Sequence, residues 1–287
     1  DGRTQRERPQ GTSSGVLALA ESLKVNRALT SVNLLNNNLG GGAAAVVAAA
    51  KQNGNIKTLC GITSGQSGVD LSWESGRTRL KAPDAVLLSF DLEFNRALNS
   101  LDLCNNNLGE ASETIAQAVL QHPTMEVFCN IPMKKMREDS LTELDLSRKG
   151  IGAHGAMVIA PLLEFSRALN SLDLSNNSIV VSHGGGWTHD SNALHGEEYV
   201  HTDGRKTHER PDGVDFEADL SGIQALADAL KVNRSLTSVN LLKNTIGGDA
   251  ALIVAAAKQQ GNIKTLCGIK EGKTKVDFSV QELKAPD

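Results

Sequence analysis

The stretch Ala18–Gly41, ALAESLKVNRALTSVNLLNNNLGG, returns 207 residues later as ALADALKVNRSLTSVNLLKNTIGG at Ala225–Gly248. The same offset carries on to GNIKTLCGI, found at Gly54–Ile62 and again at Gly261–Ile269. A second pair, EFNRALNSLDLCNN from Glu93 and EFSRALNSLDLSNN from Glu164, lies 71 residues apart. DGRTQRERPQG at Asp1–Gly11 has a counterpart in DGRKTHERPDG at Asp203–Gly213, and the closing LKAPD also occurs at Leu80–Asp84. Self-similarity of this kind announces an array of small structural units before any single unit is interpreted. It also suggests a fragment of a larger repeating protein.

A finer period lies inside the large one. Aligning short apolar-x-apolar cores gives steps of 27 or 28 residues in several places. Four copies fit L-x-x-L-x-L-x-x-N-x-L: Leu29, Val32, Leu34, Asn37, Leu39; Leu98, Leu101, Leu103, Asn106, Leu108; Leu169, Leu172, Leu174, Asn177, Ile179; and Leu236, Val239, Leu241, Asn244, Ile246. A fifth, through Leu141, Leu144, Leu146 and Ile151, carries Lys149 in place of asparagine. Within each copy the alternation of period two places the leucines on one face of a short strand. The asparagine follows where the chain leaves that strand, and its amide can both donate to and accept from backbone groups that no ladder satisfies. Asn37, Asn106, Asn177 and Asn244 are therefore expected to be structural. Segments such as AAAVVAAAKQ (Ala43–Gln52), SETIAQAVLQH (Ser112–His122), HGAMVIAPLLEFS (His154–Ser166) and SGIQALADALKVN (Ser221–Asn233) have apolar residues at three- and four-residue intervals, which predicts helices.

With those residues in view, the chain resembles the leucine-rich-repeat proteins, and the period with one helix per unit is similar to their ribonuclease-inhibitor-like subtype. The resemblance implies an α/β fold: a curved solenoid, or horseshoe, with parallel strands on the concave face and helices on the convex face. The expected organisation is a partial repeat or disordered segment at 1–15, repeats over 16–179, a His/Gly-rich irregular insertion at 180–214, and repeats over 215–287 continuing the same solenoid. Two places break the period. Ten residues separate Leu59 from Val69 and Leu266 from Val276, too few for a helix, so tight and hairpin-like loops are expected. Sixteen separate Phe128 from Leu144, with Pro132 and MKKMR between them.

The residues between the leucines line the concave face: Asn33, Cys60, Asp70, Asp102, Cys129, Asp145, Asp173, Asn240, Cys267 and Asp277. Short polar residues suit any wet strand face, but the aspartates also form an acidic stripe suited to a basic partner. Asn33, Asp70, Asp102, Asp145, Asp173, Asn240 and Asp277 are thus candidate protein-binding residues. A net charge of −4 with 29 basic and 33 acidic residues leaves no footprint for nucleic acid or an anionic membrane. No run reaches the length of a membrane span and no signal peptide opens the chain, which points to the cytoplasm.

Chemistry is sparse. Cys60, Cys104, Cys129 and Cys267 are far apart in sequence without a CxxC pair, so neither a zinc site nor a disulfide framework is expected, and free thiols fit a reducing compartment. Five of the seven histidines (His183, His189, His195, His201, His208) fall in one Gly-rich segment, with spacings of 6, 6, 6 and 7 that match no metal motif. Gly40-Gly41-Gly42, set between a strand and a helix, could be a phosphate loop. The other copies (Gly109-Glu110-Ala111, Gly152-Ala153-His154, Gly247-Gly248-Asp249) keep only the first glycine, so it marks a turn tolerant of positive φ. No nucleophile elbow or His–Cys relation is found. The expectation is a non-catalytic interaction scaffold without metal or cofactor; the alternatives are a regulator of a nucleotide-handling enzyme, as in GTPase-activating leucine-rich-repeat proteins, or a structural piece of a longer array.

Overall fold

A computed structural model of the chain describes residues 14–73, 78–184, 187–190, 198–201, 206–207, 217–244, 246 and 249–268. These residues form a mixed α/β structure in which very short parallel strands alternate with helices. The helices are α1 (Ser14–Val25), α2 (Ala43–Asn53), α3 (Ala82–Phe94), α4 (Ser112–Gln121), α5 (Met133–Arg137), α6 (Gly152–Phe165), α7 (Ser221–Val232) and α8 (Ala250–Gln260). Five strands fall on or just before the predicted apolar-x-apolar cores: β1 (Gly68–Asp70), β2 (Ser100–Asp102), β3 (Val127–Phe128), β4 (Glu143–Asp145) and β5 (Ser171–Asp173). A sixth core, Ser238–Asn240, forms the last described strand, β11.

Parallel pairing places the strands in register. β1 pairs with β2 so that Val69 faces Leu101 and Asp70 faces Asp102, and β2 pairs with β3. β4 pairs with β5 and β5 with β11, aligning Leu144, Leu172 and Val239 in one row and Asp145, Asp173 and Asn240 in the next. The helices pack on one another in the succession α1, α2, α3, α4, α6, α7, α8. Between the two layers lies a core of aliphatic residues, with Leu101, Leu103, Leu172, Leu174, Leu98 and Leu169 at most 1% exposed. The first copy is different: Leu29 is 38% exposed and Val32 and Leu34 only partly covered, because no described element packs on the outer side of Ser31–Asn33.

β5 and β11 are neighbours although the whole 180–214 segment separates them in sequence. α6 and α7 pack equally closely, and Gly222 makes this possible: a Cβ there would lie 2.9 Å from the Ala153 Cα. Where an irregular insertion was expected, the described residues instead form an antiparallel sheet of β6 (Val181–Gly184), β7 (Trp187–Asp190), β8 (Glu198–His201), β9 (Lys206–Thr207) and β10 (Glu217–Asp219), in the order β10-β6-β7-β8-β9. Aromatic and β-branched residues such as Tyr199 and Val200 favour a strand even in a polar segment. Of the segment expected at 1–15, Ser14 and Gly15 already belong to α1 and residues 1–13 lie outside the described residues. Of the repeats expected over 215–287, residues 269–287 lie outside them, and with them the loop beyond Gly268.

The corners bear out the glycine reading. Gly40, Gly109 and Gly152 have φ of 52°, 49° and 63°. Just before the structural asparagines, Asn36, Asn105 and Asn176 also adopt positive φ, as do Arg148 and Lys243 in the other copies. The ten-residue link is tight, with Gln66 N–H donating to the Thr63 carbonyl, but it is no hairpin, since β1 pairs onward with β2. The sixteen-residue link contains only the one-and-a-half-turn α5. Across it, Asn105 N–H donates to the Gly150 carbonyl at 2.7 Å. Gly150 has φ +65°, and a Cβ there would sit 1.8 Å from Asn105 Oδ1 and 3.1 Å from its backbone nitrogen. Gly150→Ala is therefore expected to cost about 1–2 kcal/mol, through left-handed strain plus a displaced Asn105 side chain. Urea denaturation checks this; an unchanged midpoint would mean that the corner yields freely.

No described helix is long and apolar enough to cross a membrane.

Candidate functional site

The strands end after three residues, and the next amide to need a partner lies two positions beyond the middle polar residue. That residue supplies it. Asp70 Oδ1 accepts from Ser72 N–H at 2.9 Å, Asp102 Oδ1 from Cys104 at 2.8 Å, Asp145 Oδ1 from Ser147 at 2.8 Å and Asp173 Oδ1 from Ser175 at 2.9 Å. Asn33 does the same for Leu35 at 3.1 Å and Asn240 for Leu242 at 3.2 Å. Where the receiving residue is serine, its hydroxyl adds a second bond, as Ser72 and Ser175 show. Each carboxylate is thus fixed by a local turn of the kind short polar side chains make. For Asp145 the Ser147 hydroxyl and N–H hold the pKa below the ordinary carboxylate value, so it stays ionised on the open face.

The sheet registers place Asp70 beside Asp102, and Asp145 beside Asp173 beside Asn240, whose amide reaches Asp173 Oδ2 at 2.9 Å. Asn33 stands apart from these rows, in an isolated bridge with Cys60. Asp277 lies outside the described residues. The expected stripe is therefore brought together as two groups, one on each three-stranded sheet.

Three of the four predicted structural asparagines form rungs. Asn177 Nδ2 donates to the carbonyls of Leu146, Leu174 and Ser175 at 2.8, 2.9 and 3.3 Å, while its Oδ1 accepts from Lys149 and Ile151 N–H. Asn244 Oδ1 accepts from Asn177 and Ile179 N–H, and its Nδ2 reaches back to Leu174. Asn106 joins Leu71, Leu103 and Leu80 in the same manner. Lys149 stands at the asparagine position of its copy, and its N–H is taken by Asn177 just as the Asn177 N–H is taken by Asn244. Asn37 departs from the expectation: it is exposed and donates to the Leu35 carbonyl, since no described strand lies on the side toward which its amide would reach.

A second polar ladder runs where the chain leaves the helices. Asn53 Nδ2 donates to the Leu23 and Asn26 carbonyls, Asn95 Nδ2 to Thr63, and Asn233 Nδ2 to Leu163 and Ser166, while the amide oxygens of Asn26, Asn95 and Asn233 each cap two amides of the following loop. Its signal was present in KVNR, EFNR and KVNR. Asp91, 1% exposed on α3, performs the equivalent task for the Thr58–Cys60 segment, accepting from Thr58 Oγ1 and from Leu59 and Cys60 N–H. Burial raises its pKa against the pull of those bonds. Nothing in the local sequence marks that aspartate.

Cys60, Cys104 and Cys129 are buried free thiols, and burial pushes the Cys60 and Cys129 thiols well above their ordinary value. A thiol held protonated is a poor nucleophile. Of the histidine-rich segment, the side chains lie outside the described residues. The two other histidines are buried: His122 Nε2–H donates to the Asn95 carbonyl at 2.6 Å, and His154 packs edge-on to Phe128 with its Nε2 unpartnered. What the arrangement offers is an open polar strand face carried on a rigid corner network. No family model matches the sequence, and no curated protein does so either.

Proposed function

We propose that the chain is a leucine-rich-repeat solenoid of the ribonuclease-inhibitor-like subtype, and that it acts as a non-catalytic scaffold binding another protein across the strand face. The partner has a basic surface and meets Asn33, Asp70, Asp102, Asp145, Asp173, Asn240 and, further along, Asp277. The observation that carries this reading is shared by Asp70, Asp102, Asp145 and Asp173: Oδ1 is held by the turn while the carboxylate stands in register with its neighbour on the adjacent strand. Repeat arrays use such extended faces for recognition. Stacking of β11 directly on β5 supports one continuous solenoid through 16–179 and 215–287, with 180–214 looped out between them.

The turn geometry supplies a test that spares the fold. Asn33 and Asn240 show that asparagine caps the strand end as aspartate does, so Asp70→Asn, Asp145→Asn and Asp173→Asn together remove charge and keep the turn. Binding of a basic partner captured by the wild-type chain should weaken at least about tenfold in this variant, and wild-type binding should fall with salt. A partner retained unchanged by the triple variant would place the binding surface elsewhere.

A further inference from the structure

Three positions of the repeat can be compared at the corner that follows a strand: the middle strand residue, the residue two beyond it, and the cysteine of the next rung. In one copy these are Asn33, Leu35 and Cys60, and in another Asn240, Leu242 and Cys267. In the third they are Asp102, Cys104 and Cys129. Only there do three metal-ligating side chains coincide. The Asp102 carboxylate oxygen and the Cys104 and Cys129 sulfurs all lie within 4.8 Å of one another.

From this geometry we infer that Asp102, Cys104 and Cys129 form a binding site for a thiophilic divalent cation of the zinc class. Zinc bonds of about 2.3 Å to sulfur and about 2.0 Å to oxygen in a tetrahedral site require these atoms to draw together by about 1 Å. The backbone around them is already fixed. Leu103 N–H donates to Cys129 Sγ at 3.3 Å and Cys104 N–H to Asp102 Oδ1 at 2.8 Å. Cys104 and Cys129 are 3% and 0% exposed, and the half-buried Asp102 leaves an approach from the strand face. Asn130 closes the set. Glycine holds its place in the other two corners (Gly61, Gly268), whereas the Asn130 amide reaches both Cys104 Sγ at 3.4 Å and Asp102 Oδ2 at 3.5 Å. Turned over, that amide presents Oδ1 to the cation; otherwise water fills the fourth position. On binding, each thiol loses its proton to solvent, and two thiolates with one carboxylate overcompensate the dication by one charge.

The test uses the reduced full chain with zinc or cadmium alone. One cadmium equivalent should generate sulfur-to-cadmium charge-transfer absorption, and zinc should displace it and raise the unfolding temperature. Cys104→Leu, which installs the residue found in the two equivalent corners, should abolish this two-thiolate band, and Asp102→Asn should weaken cadmium binding at least about tenfold. Binding to the histidine-rich segment would give no thiolate band, and binding to Cys60 or Cys267 would survive in Cys104→Leu. Either of those patterns, or a reduced chain that takes up no metal, overturns the assignment.

Discussion

Asn177→Ala is expected to lower the unfolding free energy by about 3–5 kcal/mol, while Asn37→Ala at the same motif position should cost less than about 1 kcal/mol. The reason is the surroundings of two chemically identical side chains. Asn177 is 0% exposed and satisfies three carbonyls and two amides drawn from two successive copies. Alanine leaves those groups buried without partners, at about 1–3 kcal/mol for each that water cannot reach. Asn37 is exposed and donates to the Leu35 carbonyl of its own corner, which water can replace. Urea unfolding of both variants measures the contrast. Equal losses would show that the asparagine acts within its own turn and not as a rung between copies.

The second large effect is a loss of stability in mild acid that depends on His154. Its imidazole is 1% exposed, and burial lowers its pKa from 6.5 to about 4, opposed only by a hydrogen bond with the Leu103 backbone. The unfolded chain therefore takes up this proton first. As pH falls through 6.5 the unfolded state gains, and the loss is complete only below about 4, where the folded state is protonated too. Over that window the group removes about 3 kcal/mol of stability. His154→Ala, the residue that stands at the matching Ala111, should remove this component of the pH slope whatever its offset at neutral pH. Unfolding midpoints measured between pH 7 and pH 4 decide it; parallel curves for the two proteins would exclude His154 as the source.

Much of the architecture was legible from periodicity because the relevant facts are local. Which residues of SLDL point inward follows from the two-residue alternation of a strand, and Leu101, Leu103, Leu172 and Leu174 are buried accordingly. That Gly40, Gly109 and Gly152 need positive φ followed from comparing copies, since only that glycine persisted. Asp70, Asp102, Asp145 and Asp173 do stand at the ends of β1, β2, β4 and β5. Their second role was not legible: the bond from Asp102 to Cys104 N–H depends on where the strand stops, and three-residue strands stop sooner than the motif suggests. The sequence spacing of the cysteines likewise concealed their relation. Cys104 and Cys129 are 25 positions apart, close to one period, so one rung of stacking brings their sulfurs together.

By itself, then, the amino-acid sequence determined the units of this protein: strand, asparagine corner and helix, their order, and the apolar face of each. Short-range periodicity and backbone geometry suffice for that. The tertiary structure decided which units become neighbours across the interruptions. It set β11 on β5, gave Asp91 the orphan amides of Thr58–Cys60, left Asn37 in water while burying Asn177, and split the acidic residues into two groups. Those outcomes depend on how links of ten and sixteen residues and the long 180–214 segment are spanned, and a hydrogen bond between copies exists only once the second copy has arrived.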